Sequence, residues 1–213
     1  MYKWLILLSM VYSMEISEGI LKAYDSVKDK YPEEQGVVYF LHDQFKEIPY
    51  FLNWCEGPHC TRNDIIDTYT MSRLGDKETI DRTPEIFLKD WCRDKKRYKY
   101  NGYSFRTFGW CGEYEMSFCT LLTLMGYKCK VYQNISHVTT KIWLDGYEMD
   151  VDNTFNTIEM REIDSSYEEW KVDYGIGREK YWYNKTVSES VDKVKSINVD
   201  NYFVLRMAYN NNN

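Results

Sequence analysis

Thr107-Phe-Gly-Trp-Cys-Gly-Glu-Tyr-Glu-Met-Ser-Phe-Cys119 is the stretch on which the fold turns. It continues through Thr120-Leu-Leu-Thr-Leu-Met-Gly126, and the spacing predicts a helix from Gly112 to Met125. Tyr114, Phe118, Leu121, Leu122 and Met125 share one face, and Gly126 is the expected stop. Cys111 then falls at the helix start, where unpaired N–H groups and the positive end of the dipole favour an anionic sulfur. The same N–H groups suit an oxyanion. Gly112 removes a side chain where a substrate backbone would pass close. Cys119 lies inside the helix beside Phe118 and Leu121 and reads as a small core residue.

Outward from this helix the pattern differs on the two sides. Toward the N-terminus it is helical. One helix is expected from about 14 to 30, ending before Tyr31-Pro32. A second is expected from about Gly36 to Trp54, carrying Val37, Phe40, Leu41, Phe45 and Ile48, and a third from Asn63 to about Leu74. Thr83-Pro84 opens a fourth with Ile86, Phe87 and Trp91, since proline suits the first helical position. Residues 98 to 107 are Gly- and Tyr-rich and read as irregular.

Toward the C-terminus three strand-like runs follow: Lys128 to Tyr132, Val138 to Leu144, and Tyr147 to Val151 after the turn Asp145-Gly146. A further strand is expected at Lys180 to Tyr183, a short polar helix near Ser188 to Lys195, and a last strand at Tyr202 to Met207. Helices first, one central helix, then an antiparallel sheet is an α+β arrangement. The chain divides into a helical N-terminal portion (1–97), a core (98–209) and an Asn-rich tail (210–213) expected to be frayed.

A free thiol titrates near ~8.5, so a cysteine nucleophile needs an imidazole and a group to orient that imidazole. Of the three histidines, His42 sits among Leu41 and Phe45 inside a helix and reads as structural. His59 lies in the loop Cys55-Glu-Gly-Pro-His-Cys60. His137 opens the second strand, and Asp150-Val-Asp152 closes the next. Pairing through Asp145-Gly146 sets the start of one strand beside the end of the other, so His137 meets Asp152 or Asp150. With Val151 between them, the two aspartates are expected on opposite sides of the sheet, so that only one serves.

Gly109-Trp-Cys-Gly-Glu113, Met125-Gly-Tyr127 with Val131, Ser136-His-Val138 with Trp143, and Val151-Asp-Asn-Thr154 together resemble the transglutaminase-like core of papain-like thiol enzymes. The branch they look most like is that of the peptide:N-glycanases. The resemblance covers about 99 to 155, roughly a quarter of the chain. It implies a papain-like fold, with the cysteine helix packed on an antiparallel sheet. It also implies that Cys111 is the nucleophile, His137 the general base and acid, and Asp152 the orienting carboxylate. The chain differs from the family pattern where His-Val-Trp becomes His-Val-Thr-Thr-Lys-Ile-Trp and Asp-Pro-Thr becomes Asp-Asn-Thr. The paired CxxC motifs that precede the glycanase core are absent. Candidates to line the substrate or oxyanion site are Trp110, Gly112, Tyr103 and Asn101.

The activity so implied is acyl transfer from a carboxamide or peptide carbonyl through a thioester, either hydrolytic or to an amine. The partner is a protein or peptide substrate, including a glycopeptide. The rival is an idle module that binds peptide or glycan through an aromatic groove, for which the 17% aromatic content and 20 tyrosines are suited. A net charge of −6 with one short basic run, Lys95-Lys96-Arg97, argues against a nucleic-acid partner. No nucleotide, flavin or metal motif implies a cofactor. Cys55, His59, Cys60 and Cys92 leave zinc, a local disulfide and free thiols open. Lys3 and the apolar run to Tyr12 read either as a short secretory signal or as a first helix, too short to span a bilayer. A cytoplasmic location is favoured. The sequons at Asn134 and Asn184 matter only for the secreted alternative.

Overall fold

The computed structural model describes residues 13–46, 48, 82–94, 98–100, 103–134, 137–144, 146–163, 178–179 and 181–210. In chain order these are β1 (Met14–Glu15), α1 (Ile16–Asp25), a 3-10 turn (Lys28–Lys30), α2 (Gly36–Lys46), α3 (Pro84–Cys92), β2 (Tyr98–Tyr100) and β3 (Tyr103–Phe105). They continue with α4 (Cys111–Leu124), β4 (Lys128–Asn134), β5 (His137–Leu144), β6 (Tyr147–Asp152), β7 (Thr157–Glu162), β8 (Arg178–Glu179), α5 (Tyr181–Lys195), β9 (Asn198–Val199) and α6 (Asn201–Asn210). The class is α+β. The second helix, expected to run to Trp54, ends at Lys46, and Ile48 lies in a bend beyond it; the expected helix at Asn63 to Leu74 and the Cys55 to Cys60 loop lie outside the described residues.

Strands β7-β6-β5-β4-β8 form one antiparallel sheet in that order. Helix α4 lies against β4 and β5, with α5, α3 and α2 on its other sides. Every residue from Glu113 to Leu122 is buried. A helix enclosed all round carries buried residues beyond the one face that its periodicity marks. Gly126 ends it with φ +91°, a conformation that glycine adopts without a Cβ penalty.

One hydrophobic cluster joins the helices to the sheet. Ile16, Ile20 and Ala23 of α1, Phe40 and Phe45 of α2, Phe87 and Trp91 of α3, Tyr114 and Phe118 of α4, Ile142, Met149 and Val151 of the sheet, and Phe203 and Met207 of α6 all belong to it. Phe45 sits at its centre, 5.4 Å from the Phe118 ring and 5.5 Å from Trp91. Burying each such side chain contributes on the order of 2 kcal/mol.

Four expectations are corrected. The last expected strand, Tyr202 to Met207, is helix α6. Asp200 caps it, its Oδ1 accepting from Phe203 N at 3.0 Å, and the buried residues Phe203, Val204 and Met207 follow helical spacing. Of the strand expected at Lys180 to Tyr183, the residues from Tyr181 are instead the start of α5, and the strand pairing lies earlier, with Arg178–Glu179 opposite Gln133 and Tyr132. The polar helix near Ser188 is the second half of α5, whose buried residues Tyr183, Val187, Ser190 and Val194 recur at helical spacing. The stretch read as irregular contains the hairpin β2–β3, with Tyr98 opposite Phe105 and Tyr100 opposite Tyr103. Strand β7, unforeseen, extends the sheet beyond β6 in unbroken register from Tyr147↔Glu162 to Asp152↔Thr157.

Among the described residues no helix is long and apolar enough to cross a membrane, and no cluster of His, Cys, Asp and Glu is arranged to hold a metal ion.

Candidate functional site

Cys111, His137 and Asp152 are, in turn, the first residue of α4, the first of β5 and the last of β6. Element lengths bring them together. The fourteen residues of α4 advance about 20 Å, and the seven of β4 return about 23 Å. The β4–β5 pairing, Asn134↔His137, then places His137 level with the helix start. Strand β6 runs back antiparallel, so its end arrives where β5 began.

The His137 Nε2 lies 2.6 Å from Asp152 Oδ2. Cys111 is the other group that acts on the imidazole, raising its affinity for a proton. Asp152 is itself held. Its Oδ1 accepts from the backbone N–H groups of Thr154 and Phe155, both at 2.9 Å, which fixes Oδ2 toward the ring. Burial alone disfavours the imidazolium. The Asp152 and Cys111 hydrogen bonds and charges outweigh it and raise His137 from 6.5 to about 10. At neutral pH the imidazole is therefore protonated, with Asp152 as its hydrogen-bonded partner. The site is half-open: the side chains of His137 and Asp152 are 26% and 11% exposed.

Asp150 is excluded, but not for the expected reason. Side chains two apart on a strand share a face, so Asp150 and Asp152 lie on the same side. Register separates them. Asp150 stands opposite Lys141 and accepts from its Nζ at 2.9 Å, while Glu148 takes the same ammonium at 2.8 Å.

The helix start is anchored away from the thiol. Glu113 Oε2 accepts from Trp110 N at 3.0 Å, and its Oε1 accepts from both N and Nε of Arg82. Arg82 also reaches Asp90 and the Phe108 carbonyl, with its guanidinium over the Phe87 and Phe108 rings. A Cβ on Gly109 would stand 2.8 Å from Phe87 and 3.0 Å from Glu113 Oε2, so this approach to the helix requires glycine.

Gly112 is close to something other than expected. A Cβ there would meet the Tyr183 ring of α5 at 3.2 Å. The missing side chain makes room for the protein's own helix. Trp110 has extended backbone at the N-cap and is partly buried. Tyr103 is placed only as the first residue of β3, and Asn101 lies outside the described residues. Cys119 is fully buried among Met116, Val131 and Val138, as read from sequence.

Two groups were missed. Phe155 is 50% exposed, with its ring 4.8 Å from that of His137. The short Asp-Asn-Thr-Phe turn after the strand was the available signal. Glu115, the only charge within the apolar stretch of α4 after Glu113, was passed over, and so was its partner Asn153. Asn184, half of a sequon, brackets Val131 instead: its Oδ1 accepts from Val131 N and its Nδ2 donates to Val131 O, both at 2.9 Å. The nitrogen that would carry a glycan is thus engaged in holding the sheet.

Comparison of the chain with family models, curated proteins and solved structures finds no match.

Proposed function

We propose that this chain is a cysteine-dependent acyl-transfer enzyme, built on a papain-like, transglutaminase-like core and acting on a carboxamide or peptide bond of a protein or peptide. One observation carries it: the His137 imidazole lies 2.6 Å from the carboxylate of Asp152, which backbone N–H groups hold in place, and Cys111, at the start of α4, is the other group that raises its affinity for a proton.

In this mechanism the Cys111 sulfur, as thiolate, attacks the substrate carbonyl carbon and forms a C–S bond. The oxyanion is met by N–H groups of the first turn of α4, which have no intrahelical acceptor. The C–N bond then breaks, and His137 passes its proton to the departing nitrogen. Neutral His137 next takes a proton from water, or from an incoming amine, as that nucleophile attacks the thioester. The C–S bond breaks, the thiolate is restored, and the imidazolium re-forms. Asp152 fixes the tautomer and supports the imidazolium charge throughout. Water as acceptor gives an amidase or protease, and an amine gives a transamidase. The chemistry needs no cofactor.

Alkylation tests the nucleophile. Iodoacetamide labelling across pH is expected to modify Cys111 ahead of Cys119 and well below pH 8, and His137→Ala to remove that advantage. A Cys111 that reacts no faster than an unperturbed thiol sinks the proposal. Comparing lysates treated with wild-type and Cys111→Ala protein for new peptide termini, deamidation and cross-links then identifies the acceptor.

A further inference from the structure

Behind the triad lies an enclosed set of polar groups that the acyl-transfer steps do not use. Glu115 is one helical turn beyond Cys111 and fully buried. Its Oε1 accepts from Asn153 N at 2.8 Å, and its Oε2 accepts from Asn153 Nδ2 at 3.0 Å and lies 2.6 Å from Thr140 Oγ1. Asn153 Oδ1 is 2.9 Å from His42 Nδ1, buried in α2. Four elements, α2, α4, β5 and the end of β6, are thereby tied at one point, and Asn153 is the residue next to Asp152.

Helix stability does not account for this arrangement. A buried carboxyl bonded by neutral donors is costly to desolvate, and an apolar side chain would fill the space at lower cost. What the carboxyl does is grip Asn153 twice, by backbone and by side chain, from the helix that carries Cys111.

We propose that Glu115 is a positioning residue for Asp152: through Asn153 it fixes the end of β6 against the start of α4, so that carboxylate and thiol meet His137 in register. The role rests on the acyl-transfer reading of the triad, but the geometry it controls is measurable without a substrate.

The charges around Glu115 fit this role. Burial, then the neighbouring Asp152 charge, push its carboxyl well above the usual carboxylate range. Once protonated, it has an acceptor in Thr140 Oγ1, whose own hydroxyl turns to the Glu115 main-chain oxygen at 3.3 Å. Cys129 also faces Glu115, and burial keeps that thiol protonated. His42 is held below its ordinary value by burial, with Asp43 and Lys46 beside it, so it meets Asn153 as neutral imidazole.

The test follows the His137 ring by NMR titration in wild type, Glu115→Gln, Glu115→Ala and Asn153→Ala, with the resonance assigned by its loss in His137→Gln. Glutamine can donate to Asn153 Oδ1 once that amide turns over and His42 changes tautomer, so Glu115→Gln should titrate near wild type. Glu115→Ala should lower the midpoint by about one unit or more, as expected when a carboxylate partner is displaced. Alkylation of Cys111 should lose its low-pH advantage in parallel. If Glu115→Ala does not fold, Asn153→Ala, which leaves the carboxyl and Thr140 in place, must show the same shift. A folded variant that loses thermal stability while His137 titrates as in wild type overturns the proposal. If the variants shift His137 while Cys111 of the wild-type protein alkylates no faster than an unperturbed thiol, the positioning role stands and the acyl-transfer reading falls.

Discussion

At the residue scale, two cysteines on one helix and two aspartates on one strand are separated by position rather than by type. Cys111 has His137 as a partner, and Cys119 has only core neighbours. Asp152 stands at the strand end beside His137, while Asp150 belongs to Lys141. In the proposed reaction, Asp152→Asn should lower turnover by about 10³-fold or more, because the amide no longer supports the imidazolium. Asp150→Asn should leave turnover near wild type and cost about 1.5–3 kcal/mol of stability, the worth of a hydrogen bond to a charged group. Steady-state rates and urea denaturation of both variants check the pair, and equal kinetic losses would reverse the assignment. In the proposed reaction, Phe155, exposed beside the His137 imidazole, should contact the leaving-group side of a substrate. Phe155→Ala is expected to raise KM several-fold, the loss of about 1 kcal/mol of aromatic contact. A fall in kcat at constant KM would instead tie the ring to His137. The sequence showed Cys111, His137 and Asp152 because each marks an element boundary. It concealed Glu115 and Asn153 because their partners lie in other elements.

At the element scale, α4 is the part on which the site depends, and its start is pinned by the buried Arg82–Glu113 pair, in which Arg82 is 1% exposed. Arg82→Ala leaves Glu113 buried without its guanidinium and should cost about 3–5 kcal/mol, measured by chemical denaturation. Gly112→Ala pushes against Tyr183, so the response should appear as a shift of α5 relative to α4, visible in amide chemical shifts along 181–187. Elements with one clear periodicity were legible: α4, the core strands β4 to β6, and α3 with its proline start. Helix α6 was not. Tyr-Phe-Val-Leu-Arg-Met offers β-prone residues in a run, and only the Asp200 cap and the packing of Phe203 and Met207 against α1 and α2 make it helical.

At the scale of the whole molecule, helices and sheet share one hydrophobic cluster. Gln44 of α2 donates to the Met207 carbonyl in α6 at 3.2 Å, and His42 reaches Asn153 at the sheet end. The site is therefore coupled to global folding, and its titration has a defined sign. His137 rises from 6.5 to about 10 in the folded chain. Its contribution to stability is full below pH 6.5 and is lost as pH climbs through 10. Thermal melts should show stability falling across that window, with a flatter profile in His137→Gln. An unchanged slope would mean the imidazole is not held as described. Taken by itself, the sequence determined the helix starting at Cys111, the strands that follow it, the turn at Gly146 and the chain order of thiol, imidazole and carboxylate. Those features are local, written in periodicity and in glycine and proline placement. Tertiary structure alone decided that Asp150 is taken by Lys141, that Gly112 makes room for Tyr183, that residues 201–210 are a helix, and that Glu115 grips Asn153. Each of these depends on a partner in another element, and no spacing along the chain encodes that partner.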